Sequence, residues 1–124
     1  MSTVLTIGET AYPAALTVSA AVTLMQRHGT MKAVLDALQT PDMTAFCNDG
    51  LDIVAALLEG GAAQARMLGK AADQPPTAEA LRAVLFLKDL PTIRSAALRA
   101  VVEGIQRQVE VEESRKNAET TQSP

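Results

Sequence analysis

Aromatic side chains are nearly missing from this chain of 124 residues: Tyr12, Phe46 and Phe86 are the whole set, and there is no tryptophan. Stacking on bases or sugars therefore has little to work with. The single cysteine, Cys47, excludes an internal disulfide and a cysteine-rich zinc site, and a reducing compartment is the expectation that follows. Long apolar runs are missing too, and no window approaches the roughly 20 apolar residues that span a bilayer. The N-terminus lacks a basic stretch followed by an apolar run and a cleavage site, so a cytoplasmic protein with no membrane partner is expected. About half of the residues are apolar, enough to fill one aliphatic core.

Chemistry-bearing constellations are scarce. The only histidine, His28, stands at a helix end, where it is expected to pack or to meet the negative end of the helix dipole. Cys47 falls on an apolar stripe and reads as a small hydrophobe. Asp49 and Asp52 lie one helical turn apart, too few oxygens for a calcium loop, and a solvated face is expected there. Gly60-Gly61 lacks the Lys-Ser/Thr of a phosphate loop, and Gly8 has no glycine partners. No catalytic residue, cofactor or metal ligand is expected, and an enzyme is not the reading.

Charge is uneven. Residues 1–60 hold six acids and two bases, residues 61–102 three and six, and residues 103–124 five and three. Such a pattern suits a solvated surface, or a heterologous contact in which one copy's acidic N-terminal half meets another's basic middle, giving a homo-oligomer.

What is present is helical patterning, densest from Leu16 to Leu38. Thr17 is a suitable N-cap, and Val18, Ala21, Val22 and Met25 follow at i, i+3, i+4 and i+7, which predicts the inward stripe of a helix. Gly29 is the expected left-handed C′ residue; Thr30 caps a second helix whose stripe is Met31, Val34, Leu35 and Leu38. This corner resembles a helix-turn-helix, but its second helix offers only Lys32 as a base, with Asp36 one turn on, and no nucleic acid is expected as a partner.

Around that stretch, residues 3–7 and Ala11 to Leu16 predict a small hairpin turning at Gly8-Glu9-Thr10, with Pro13 making the second arm an edge or breaking it there. Thr40 as cap and Pro41 at N1 predict the next helix, with a stripe of Met43, Phe46, Cys47, Gly50, Ile53, Val54, Leu57 and Leu58. Gly50 marks either close packing or a weak point there. Gly60-Gly61 is expected to end or kink the helix, with helix resuming from Ala62 to Leu68 and a loop at residues 69–76. Thr77 caps a helix on which Leu81, Val84, Leu85 and Lys88 share a face that Phe86 and Leu87 widen, so a largely buried helix, covered by its neighbours or by another chain, is expected. Pro91 is placed at N1 of the last helix. The fold class is mainly α: a multi-helix domain over 1–109 with an N-terminal β-hairpin, followed by a polar, disordered acidic tail over 110–124.

Three segments together resemble a known family. YPAALTVSAAVTLMQRHGTMKAVLDAL, then FCNDGLDIVAALLEGG, then PPTAEALRAVLFLKDLPTIRSAALRAVVEGI are similar to the tail assembly chaperones of long-tailed bacteriophages and related gene-transfer particles. The resemblance covers residues 3–108 and rests on the Leu16-Thr17 helix start, the His28-Gly29-Thr30 corner, Leu57 to Gly61, and the Thr77 to Leu90 helix closed by Pro91. It implies a protein absent from the mature virion that binds and solubilises the tape measure protein and helps recruit tail tube subunits. The partner contact is expected at Val84, Phe86 and Leu87, and at Leu98, Val102, Ile105 and Val109, with ordinary core packing as the competing reading for each. A small helical DNA-binding regulator and a structural head-tail connector component are the alternatives.

Overall fold

The computed structural model describes the backbone of residues 3–122 and the side chains of residues 3–106. It is mainly α with one antiparallel hairpin, β1 (Thr3–Ile7) and β2 (Thr10–Ala14), and helices α1 (Val18–His28), α2 (Met31–Gln39), α3 (Met43–Ala45), α4 (Leu51–Met67), α5 (Ala78–Val84) and α6 (Leu90–Gln122). The hairpin turns on Gly8-Glu9 alone: Thr10 pairs with Ile7, and the second strand stops at Ala14, short of the expected Leu16. Pro13 stands opposite Val4 in a sheet of two strands, where its missing donor is tolerated.

The local signals set most helix starts. The hydroxyls of Thr17, Thr30 and Thr77 accept hydrogen bonds from the amides of Ala20, Ala33 and Ala80 at 3.2, 3.0 and 3.1 Å. Gly29 closes α1 at φ +99°, a region that side chains rarely adopt, and its amide donates to Met25. The start of α3 differs from expectation. Asp42, not Thr40, is the cap, accepting from the Ala45 amide at 3.1 Å, while Thr40 accepts from the Asp42 amide and Pro41 precedes the helix.

From Met43 to Met67 the chain is helical without a break, passing through a π-helical segment at Phe46–Gly50. The Phe46 ring lies directly over Gly50, where a Cβ would come within 2.7 Å of the ring's Cε1, so Gly50 is a site of close packing. Met43 is exposed, contrary to the expected stripe; it precedes the π segment, whose wider turn shifts the helical phase.

Helix α4 is the axis of the fold. Ile53, Val54, Leu57 and Leu58 are fully buried, and burial of four such side chains is worth at most roughly 12 kcal/mol. Strand β2, α1, α5 and α6 all pack on it, and α2 packs on α1, α6 and the π segment. The expected end at Gly60-Gly61 does not occur: α4 runs on through both glycines to Met67. A Cβ at Gly60 would strike the Ala15 carbonyl oxygen and one at Gly61 the Pro13 carbonyl group, so the two glycines let the chain leaving β2 lie on the helix backbone. The Ala15 amide donates to the Leu57 carbonyl at 3.0 Å, and Gly104 of α6 lies against Leu16.

Two further expectations are overturned. In α1 the buried residues are Ala20 and Leu24, while Val18, Val22 and Met25 face outward, with Val18 77% exposed. The helix carries two overlapping apolar stripes, and α4 receives the other one. After Thr77, the helix stops at Val84 and is not a broad buried helix: of its residues only Leu81 is buried. Leu85 and Phe86 are extended, Leu87–Asp89 forms a 3-10 turn, and α6 begins at Leu90, with Pro91 one residue inside it rather than first. A helix running on to Pro91 would lose the bond to the Leu87 carbonyl and bring the proline ring against it. The break upstream puts Pro91 in a first turn, where no amide is needed. Asp89 supports the break by accepting from the Phe86 amide at 2.9 Å. The tail expected from Glu110 falls on the end of α6, and its side chains lie outside the described residues.

Candidate functional site

The break between α5 and α6 creates a cleft of about 200 Å³, open to solvent. Leu51 and Leu90 form its floor with half-buried Cys47 and Leu85, and Phe86, Leu87 and Arg82 form its rim. Phe86 is 70% and Leu87 68% exposed, unusual for side chains of this size, and Val84 beside them is exposed as well. The volume is below the roughly 300 Å³ where small-molecule sites begin, and suits one or two inserted side chains.

Two cations frame this apolar patch. The Arg82 guanidinium lies 3.4 Å from the Cys47 carbonyl oxygen, and the Lys88 ammonium stands 5.9 Å from the centre of the Phe86 ring. Among the described residues neither has a carboxylate within ion-pair distance; the pairs present are Arg27–Asp52, His28–Asp52 and Lys32–Asp36. The patch is thus apolar at its centre, with Arg82 and Lys88 at its edges and the Asp89 carboxylate engaged by the Phe86 amide.

Of the residues expected to contact a partner, the structure brings together Val84, Phe86 and Leu87. Val102 is exposed on α6, whereas Leu98 and Ile105 are half-buried against the core. The side chain of Val109 lies outside the described residues. Sequence reasoning misses Arg82 and Cys47 as cleft residues, because they come from distant parts of the chain and only packing brings them together. Pro91, four residues after Leu87, is the signal for the break. It also misses the outward Val18, Val22 and Met25 of α1, whose stripe competes with that of Ala20 and Leu24. A second surface opening of about 210 Å³ between α1 and α4 is lined by Thr17, Ser19, Thr23 and Glu59 among others.

The corner between α1 and α2 carries an ion-pair cluster. Arg27 Nη1 donates to Asp52 Oδ1 at 2.8 Å, and His28 Nε2 lies 3.3 Å from Oδ2 of the same carboxylate, tying the end of α1 to the start of α4. Asp52 is therefore a structural partner and not part of a free acidic face with Asp49. Lys32 pairs with Asp36 at 3.0 Å, so both bases nearest the corner are engaged by carboxylates. Among the described residues no three His, Cys, Asp or Glu side chains come together as a metal site would require, and no helix is long and apolar enough to cross a membrane. Comparison of the chain with protein-family models, with curated proteins and with solved structures finds no match in any of the three.

Proposed function

We propose that the protein is a phage tail assembly chaperone that binds the tape measure protein through the cleft between α5 and α6. It acts in the cytoplasm of the bacterial host, keeps that long helical partner soluble while tail tube subunits are recruited, and is left out of the finished particle. The observation that supports this reading best is the exposure of Phe86 and Leu87 side by side on the rim of an apolar cleft. Monomeric soluble proteins rarely leave such a cluster uncovered unless something docks there. A partner helix would place one apolar side chain on Leu51 and Leu90 and lay its flanks against Phe86 and Leu87, as amphipathic helices do in grooves. The ordering of elements that resembles the tail chaperones supports the identity of the partner.

Co-expression with the tape measure protein tests the reading. The partner is expected to remain soluble and to co-purify with this chain, and Phe86→Ser is expected to reduce the recovered complex. A tape measure protein that aggregates equally with and without the chain sinks the proposal. Purified particles supply a second check: a chaperone is missing from them, whereas a head-tail connector is retained.

A further inference from the structure

We infer that the cleft between α5 and α6 binds the acidic stretch at residues 109–113 of α6 from a second copy of this chain. The cleft leaves two things uncovered: the apolar faces of Phe86 and Leu87 above a buried floor of Leu51 and Leu90, and the charges of Arg82 and Lys88. The chain itself carries one segment complementary to both. Residues 109–113, Val-Glu-Val-Glu-Glu, hold three carboxylates and no base, and at helical spacing Glu112 and Glu113 fall at i+3 and i+4 from Val109. Val109 then supplies the inserted side chain and the two glutamates the opposite charge. Arg107 and Val111, two residues to either side of Val109, belong to the other side of a helix at that spacing. Arg82 and Lys88 are solvent-exposed and, among the described residues, have no carboxylate of their own, so pairing them across an interface breaks no ion pair described within the subunit.

The same cleft serves the proposed partner and the second copy, so self-association and partner binding compete for it. Yet the self-association does not depend on the chaperone reading. Variants at Glu112 and Glu113 affect only the former, whereas Phe86→Ser affects both, so failure of one proposal is distinguishable from failure of the other.

Sedimentation of the full chain over a range of concentration and salt is the first test. Association is expected, weakening as salt rises because the charges are exposed. The double variant Glu112→Lys/Glu113→Lys is expected to raise the dissociation constant about tenfold or more, and so is Arg82→Glu/Lys88→Glu. An equimolar mixture of the two variants recovers the association. All four positions being polar, helical content measured by circular dichroism should not change. Cross-linking is the second test. In a Val109→Cys variant the only other thiol is that of Cys47 at the cleft. Oxidation is expected to join Cys47 of one chain to the introduced thiol of another, a disulfide identified by peptide mapping. A chain that stays monomeric at all concentrations, a disulfide formed only within one chain, or charge variants that associate as tightly as the parent would each overturn the inference.

Discussion

Arg94 of α6 lies with its guanidinium 4.3 Å from the centre of the Phe46 ring. The same side chain reaches the end of α2, where Nη1 donates to the carbonyl oxygens of Leu38 and Thr40 at 3.0 and 2.7 Å. These carbonyls are among those a helix leaves unpaired at its C-terminus, and a cation there also favours the helix dipole. One side chain of α6 thus holds both the end of α2 and the π-helical segment that soon follows it.

Arg94→Ala should consequently cost about 2 kcal/mol, the sum of charge-assisted hydrogen bonds and a partly screened cation–π contact. Arg94→Lys should fall between the two, because an ammonium cannot stack on Phe46 and span both carbonyls as a planar guanidinium does. Urea unfolding checks this through the midpoint at constant m-value. An Arg94→Ala midpoint equal to the parent's would show that the contact contributes nothing.

Gly61→Ala is expected to be far more damaging than an alanine in a helix interior ordinarily is. Propensity alone favours alanine by about 1 kcal/mol, but here the added methyl meets the Pro13 carbonyl group, which is backbone and cannot rotate aside. A loss of about 3 kcal/mol or more, or no folded protein, is expected. A stabilised Gly61→Ala protein in thermal melting would mean that the chain leaving β2 does not lie on α4 at this point.

The two apolar stripes of α1 separate cleanly by mutation. Leu24→Ala removes a fully buried side chain and should cost about 2–5 kcal/mol. Val18→Ala on the outward stripe should stay within about 0.5 kcal/mol. Should the two melts show the reverse order, α1 is rotated from the position described.

Phe86→Ser should leave stability within about 0.5 kcal/mol, since the ring is mostly in solvent, while lowering partner recovery in co-purification. A large drop in melting temperature without any change in partner recovery would assign Phe86 to the core and remove it from the interaction surface.

These contrasts separate what is legible in a sequence from what is not. The corner at Gly29 and the caps at Thr17, Thr30 and Thr77 can be read directly, because each is a hydrogen bond or a dihedral preference that closes within a few residues. The α2 stripe is legible because it has one apolar face and no rival. For the candidate site, Phe86 and Leu87 can be singled out as an excess of apolar surface, but not as the rim of a cleft, since Leu51 and Cys47 come from another part of the chain.

Local periodicity and composition are thus enough to specify a mainly helical chain with a hairpin at its start, most of its helix caps and an aliphatic core. Long-range packing selected which of two stripes on α1 faces inward and kept Gly60-Gly61 inside a helix. The physical reason is common to both. Each depends on an approach between segments far apart along the chain, where the shape of the neighbour, and not the preference of the residue, selects the conformation.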